Sequence, residues 1–182
     1  VILRTRVNTC LEKKALRDRE REYLKRIEIE KSRAKALLRR VLPEAVAEEL
    51  EQTGGVQPRR HADVAILFAD VVGFTAYCRN RPPQEILDKL QRMVCCFEEL
   101  IGRHGLEKVK TDGDAFIAVG GLLKPLDDPV FHCVQCGLDM ARVVREGFPP
   151  WRLRVGIHCG EAVSGLVGQN NFFFDLWGDA VN

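Results

Sequence analysis

The chain has 182 residues, enough for one good core with an appendage, and its 46% hydrophobic and 30% charged content is ordinary for a globular protein. A formal net charge of +2 gives no bulk electrostatic case for nucleic acid or anionic lipid as a partner. No apolar run is long enough to span a bilayer and no signal-peptide pattern stands in the sequence, while a start at Val1-Ile2-Leu3 without Met predicts a fragment, for whose upstream part a membrane or sensor region is the candidate.

Residues 1–42 are dense in Arg, Lys and Glu and hold no Gly or Pro. Leu16, Tyr23, Ile27, Ala34, Leu37 and Val41 follow 3–4 spacing, but Glu20 and Glu30 interrupt the seam. The pattern predicts a long helix with an imperfect heptad, hence a weak parallel coiled coil, with a solvated single helix as the alternative. Pro43 ends or kinks it, and "PEAVAEELEQTGG" predicts a short second helix stopped at Gly54-Gly55. Residues 43–60 therefore read as a connecting element, and residues 61–182 as a separate α/β region.

That region opens with "VAILFADVVGFTAY", Val64 to Tyr77. Val64–Ala69 reads as a buried strand, followed at once by Asp70. Pro82-Pro83 opens a helix to about His104, closed by Gly105. Leu106–Thr111 and Ala115–Val119 read as strands joined by a hairpin at Asp112-Gly113. Val130 to about Glu146 is a helix, with Val130, Val134, Leu138 and Ala141 on one side. Pro149-Pro150 breaks it, and Trp151–His158 is a strand. Gly160, Gly165 and Gly168 punctuate a further strand pair, Asn171–Trp177 is strand-like, and Asp179 looks like an N-cap. The order β-α-β-β-α-β predicts an α+β, ferredoxin-like fold, in which the end of the first strand and the hairpin turn come together. Those points hold Asp70 and Asp114.

The sequence has seven cysteines, scattered and with Cys95-Cys96 adjacent, which suits reduced thiols in a cytosolic protein better than a disulfide framework. "HCVQC", His132 to Cys136, lies in the second predicted helix and lacks a second metal-ligand pair. Its cysteines read as core or surface thiols.

Burying a lone carboxylate is costly unless it is paired or metal-bound. Two acids meeting at strand ends repel unless a cation sits between them, and hard oxygen ligands suit Mg²⁺ or Mn²⁺. Gly73, just after Asp70, lets the backbone turn tightly towards a phosphate. Acid, glycine turn and second acid together point to a two-metal nucleotide site. The alternative is that Asp70 caps a local turn and Asp114 is an ordinary hairpin acid.

"FADVVGFT", "EKVKTDGDAF", "RVGIHCGEAVSGLVG" and "FDLWGDAVN" stand in the order and spacing of class III nucleotidyl cyclases, which the chain resembles over roughly residues 43 to 182. The resemblance implies a palm-like catalytic domain over residues 61–182 and a signal-transducing element at 43–60. It implies that Asp70 and Asp114 bind two divalent ions, with the backbone carbonyl of Val71 joining them. Gly73, Phe74 and Thr75 would hold the triphosphate. Lys110 and Asp175 would read the base, and Asn182 would orient the ribose and the transition state. The family also has an Arg four residues beyond that Asn and a later phosphate-contacting Lys, neither of which this sequence contains, so the expected active site is incomplete.

Adenine offers an amino donor at N6 and an acceptor at N1, whereas guanine offers the reverse. An ionised Asp only accepts and a Lys only donates, so Asp175 and Lys110 match adenine. Guanylate cyclases of the family would carry an acid and a small residue such as Cys there. The resemblance therefore implies an adenylate cyclase making cyclic AMP from ATP. Its sites would be shared in a homodimer, the metal acids from one chain and the base readers from the other. The N-terminal helix would regulate how the halves meet. The alternatives are a guanylate or relaxed-specificity cyclase, and a catalytically silent dimerisation module. A diguanylate cyclase is disfavoured because the hairpin reads Asp112-Gly113-Asp114 rather than Gly-Gly followed by two acids.

Overall fold

The computed structural model of the chain describes residues 2–168 and 172–181. The chain divides into two compact units, Val1–Ala47 and Glu48–Asn182.

In the first unit, helix α1 runs from Ile2 to Val41, 40 residues, a length of about 60 Å. Leu16, Tyr23, Ile27, Leu37 and Val41 of the expected apolar row are all exposed along it, and Arg33 bonds Glu30 one turn away at 3.0 Å. Exposed pairs of this kind add little stability. α1 stops just before Pro43, whose ring removes a backbone donor, and a second helix α2 follows at Glu44–Thr53. No helix among the described residues is long and apolar enough to cross a membrane.

The second unit is built on an antiparallel sheet. Its elements are β1 (Arg59–Val71), α3 (Phe74–Cys78), α4 (Pro83–Arg103), β2 (Glu107–Asp112), β3 (Ala115–Gly120), α5 (Pro129–Gly147), β4 (Leu153–Val167) and β5 (Phe173–Trp177). The sheet order is β2-β3-β1-β4-β5, with β1 central as the ferredoxin-like reading requires. The expected strand Trp151–His158 does not end before the glycines that were to punctuate a further pair but continues as one strand of 15 residues. Gly160 and Gly165 do not break it because both sit in ladders, opposite Val64 and Asp175 respectively. Asp179 lies in a turn, where Val181 N–H donates to the Gly178 carbonyl at 3.0 Å.

Strand alternation separates the two faces of the sheet. Ala65, Leu67, Ala69 and Val71 of β1 pack with Met93 and Phe97 of α4 and with Cys133, Cys136, Met140 and Val144 of α5. Phe97 meets Phe116 edge to face at 5.4 Å, and truncating a buried Phe to Ala costs about 3–5 kcal/mol. Gly137 lets α5 approach β4, since a Cβ there would stand 2.9 Å from Val155 Cγ1. The two α5 thiols are core groups. Burial pushes Cys133 up to about 11 and Cys136 up to about 12, which leaves them protonated at neutral pH.

A bulge between Lys108 and Lys110 decides where β2 aims its lysines. Lys108 pairs with Ala118 and its Nζ reaches Glu98 of α4 at 2.6 Å, on the helix face. Lys110 pairs with Ile117, and the extra residue turns it to the other face. The sheet curls over that face, because Lys110 on one edge strand meets Asp175 on the opposite edge strand.

Candidate active site

Asp70 sits at the end of β1, one residue before the buried Val71, with its side chain 34% exposed. Asp114 sits in the β2–β3 turn and accepts a hydrogen bond from Val71 N–H at 3.2 Å. Burial, and then the Asp70 carboxyl beside it, push the Asp114 carboxyl above the ordinary carboxylate value. The hairpin and the end of the central strand thus bring the two acids together, as the topology predicted.

The cation beside Asp70 is one that the sequence reading missed. Arg154 of β4 stands opposite Asp70 in the strand register, and its Nη2 bonds Asp70 Oδ2. An arginine inside "LRVGIH" carries no signal by itself; only the β1–β4 register places it against the acid. The guanidinium is 72% exposed and so is held loosely.

Two adjacent carboxylates, one of them raised by the other, fit a divalent cation. Mg²⁺ is commonly held by one or two carboxylates with water and substrate phosphates completing its shell. Among the described residues no group of three or more His, Cys, Asp or Glu gathers to hold a metal, so the pair would need water or substrate oxygens to complete an ion's shell.

After Val71 the chain leaves the sheet. Val72 N–H donates to the Arg152 carbonyl at 2.8 Å, and Gly73 adopts φ +75°, a conformation costly for other residues. α3 starts at Phe74, and Tyr77 N–H closes its first turn on the Gly73 carbonyl at 3.0 Å. Gly73 and Thr75 are exposed and Phe74 is half-buried, so the turn three residues after Asp70 is open to solvent.

On the curled face, Lys110 Nζ lies 2.5 Å from Asp175 Oδ2. Asp175 Oδ1 also accepts from Leu176 N–H at 2.9 Å, which fixes the carboxylate plane. Asp175 is 13% exposed and Lys110 39%. The residues expected to read a base are therefore side by side, each satisfying the other's charge. Asn182 lies outside the described residues. Two of the histidines have local partners: His61 bonds Ser164 at 2.9 Å and His104 bonds Asp139 at 3.0 Å.

The sequence profile of the family described as the adenylate and guanylate cyclase catalytic domain matches residues 56–182, and the chain belongs to that family. An adenylate cyclase from Mycobacterium tuberculosis is 38% identical over 173 residues, 92% of this chain and 39% of the relative. Retinal guanylyl cyclase 1 of Bos taurus is 35% identical over 176 residues, 92% of this chain and 16% of the relative. The crystal structure of the catalytic core of a rhodopsin-guanylyl cyclase with converted specificity, in complex with ATPαS, superimposes with a TM-score of 0.66. It is 25% identical, and the match covers 69% of this chain and 70% of that one. The chain thus spans about two fifths or less of the curated relatives it matches.

Proposed function

We propose that the protein is an adenylate cyclase, converting ATP to 3′,5′-cyclic AMP and pyrophosphate. The observation that carries this reading is the Lys110–Asp175 pair, a donor and an acceptor placed together on one face with the acceptor largely buried. Adenine can replace their mutual contact by giving N6–H to Asp175 and taking a hydrogen bond at N1 from Lys110. Guanine would set its O6 against the carboxylate, an unpaired acceptor in a buried place, a mismatch that can discriminate by about 10⁴-fold.

In the reaction the ribose 3′-oxygen forms a bond to the α-phosphorus, and the bond to the departing pyrophosphate breaks in line. The 3′-hydroxyl proton leaves to solvent. Two divalent ions, Mg²⁺ or Mn²⁺, when bound supply the charge that eases ionisation of the 3′-hydroxyl and stabilises the pentavalent centre. Asp70, Asp114 and the Val71 carbonyl are the chain's ligands for them. An ion on Asp70 would compete with Arg154 for that carboxylate. Gly73, Phe74 and Thr75 hold the triphosphate, and Asn182 orients the ribose.

The catalytic assembly is a homodimer with two shared sites, acids from one chain and base readers with Asn182 from the other. Residues 1–42 form a parallel coiled coil and residues 43–60 transmit its state to the catalytic domain over residues 61–182. The exposed row Leu16, Tyr23, Ile27, Leu37, Val41 supports that reading, and the weak seam suits a switch. An upstream sensor in the longer protein would act through it.

Two measurements test this. Purified full-length protein given equimolar ATP and GTP should release mainly cyclic AMP. Equal or greater cyclic GTP would favour a guanylate cyclase, and no cyclic nucleotide a silent module. Asp70→Ala and Asn182→Ala homodimers should each be nearly inactive, and mixing them should restore activity. No rescue from heterodimers shown to form would remove the shared site.

A further inference from the structure

Beneath the triphosphate loop lies a block of rings that the chemistry above leaves unused. Trp151, just ahead of β4, is 3% exposed. Phe74 and Tyr77, a turn apart on α3, meet its ring edge to face at 5.6 and 5.2 Å. Phe148 stacks parallel to it at 6.4 Å. α3 has five residues and none is buried, so it is too short to hold its shape alone. What it rests on is Trp151. The bond from Val72 N–H to the Arg152 carbonyl ties the start of the loop to the same segment.

Cations close the block from α4 and the α3–α4 turn. Lys89 Nζ lies 4.5 Å from the Trp151 ring centroid and 5.1 Å from that of Tyr77, and donates to the Pro149 carbonyl at 2.8 Å. Arg81 lies 4.3 Å over the Tyr77 ring and pairs with Glu85, which also takes the Tyr77 hydroxyl at 3.4 Å. The Trp151 Nε1–H is buried and has no hydrogen-bond partner. Phenylalanine would avoid that cost, so what the indole contributes is its ring area, shared among Phe74, Tyr77, Phe148 and Lys89.

We propose that Trp151, clamped under Lys89, is the positioning block of the triphosphate loop. It sets the angle at which α3 leaves β1, and so the direction in which Gly73, Phe74 and Thr75 present their backbone. Trp151 and Lys89 touch no substrate; both act through α3. The inference rests on the cyclase reading of the site and says which residues outside it tune its affinity for phosphate.

The test separates the phosphate part of the ligand from the base part. Full-length protein is titrated by calorimetry with pyrophosphate in excess Mg²⁺ and, separately, with adenosine. Lys89→Met keeps the aliphatic stem and removes the charge over the rings. It should weaken pyrophosphate by about fivefold, equivalent to about 1 kcal/mol, and leave adenosine unchanged. Lys89→Arg should restore wild-type pyrophosphate binding, and Trp151→Phe should show the same selective loss. KM for ATP should rise with the pyrophosphate constant while kcat changes less. Equal weakening of both ligands would mean a merely structural role, and no weakening of either would remove the positioning role outright. Wild-type protein that binds neither probe and makes no cyclic nucleotide would instead overturn the cyclase reading itself.

Discussion

Asp70 and Asp114 set two like charges side by side, whereas Lys110 and Asp175 set opposite charges 2.5 Å apart. The first pair is under electrostatic tension that the fold relieves only in part, through an exposed Arg154. The second pair is already satisfied, and under the proposed function it opens when a base is read. Like charges held together by a rigid hairpin and strand favour whatever cation arrives. A closed ion pair favours only a ligand that offers both an acceptor and a donor in its place. On the proposed reading, tension gives affinity for a cation at one half-site and mutual satisfaction gives selectivity for a base at the other.

The comparison breaks most directly at the acids. Asp70→Asn or Asp114→Asn should lower the rate of cyclic nucleotide formation by about 10³-fold or more, in Mg²⁺ or Mn²⁺ alike. A loss under tenfold would mean that the acid pair does no special electrostatic work. At the other half-site, Lys110→Glu with Asp175→Cys should move the ATP-to-GTP preference by about 10²-fold while leaving metal dependence alone, read from kcat/KM for each nucleotide. An unchanged preference would show that the base is read elsewhere.

A third prediction concerns stability and carries the opposite sign. The folded state raises the Asp114 carboxyl, so the folded chain binds more protons there than the unfolded chain. That contribution falls as pH rises from the ordinary carboxyl value through the raised one, and at neutral pH it is a cost. Asp114→Asn should therefore melt about 2–4 °C higher than wild type at pH 7, with the gain shrinking as pH drops through that window. A neutral-pH melting point below wild type would refute the tension. The smallest effect is at Arg154. Arg154→Gln should lower the melting temperature by about 1–2 °C in chelator, and added Mg²⁺ should erase the difference.

The order of elements was legible because each signal was local. Pro82-Pro83 marked the start of α4, the Asp-Gly turn marked the hairpin, and the apolar run from Val64 marked the central strand, which extends beyond it to Arg59 and Val71. Asp70, Asp114, Lys110 and Asp175 could be singled out because motifs fix their spacing along the chain, and the structure brings them together in two pairs. What stayed hidden depended on register. Arg154 meets Asp70 only through the β1–β4 ladder, and Lys110 faces Asp175 only because a bulge turns it and the sheet curls. Gly160 and Gly165 read as breaks because glycine often is one, yet each has a ladder partner, Gly160 on β1 and Gly165 on β5, and β4 stays continuous.

That continuity makes β4 a common ruler for both half-sites. Arg154 near its start is set opposite Asp70, and Gly165 near its end is set opposite Asp175. Side chains alternate along a strand, so a slip of one residue would turn Arg154 to the helix face and put a side chain in place of Gly165 at the same stroke. Deleting a single residue between Gly156 and Gly160 would change the spacing of these two positions, so that Arg154 and Gly165 could not both keep their partners. An insertion of the same size in the segment between β4 and β5 would leave Arg154 against its acid and move only the strand that carries Asp175.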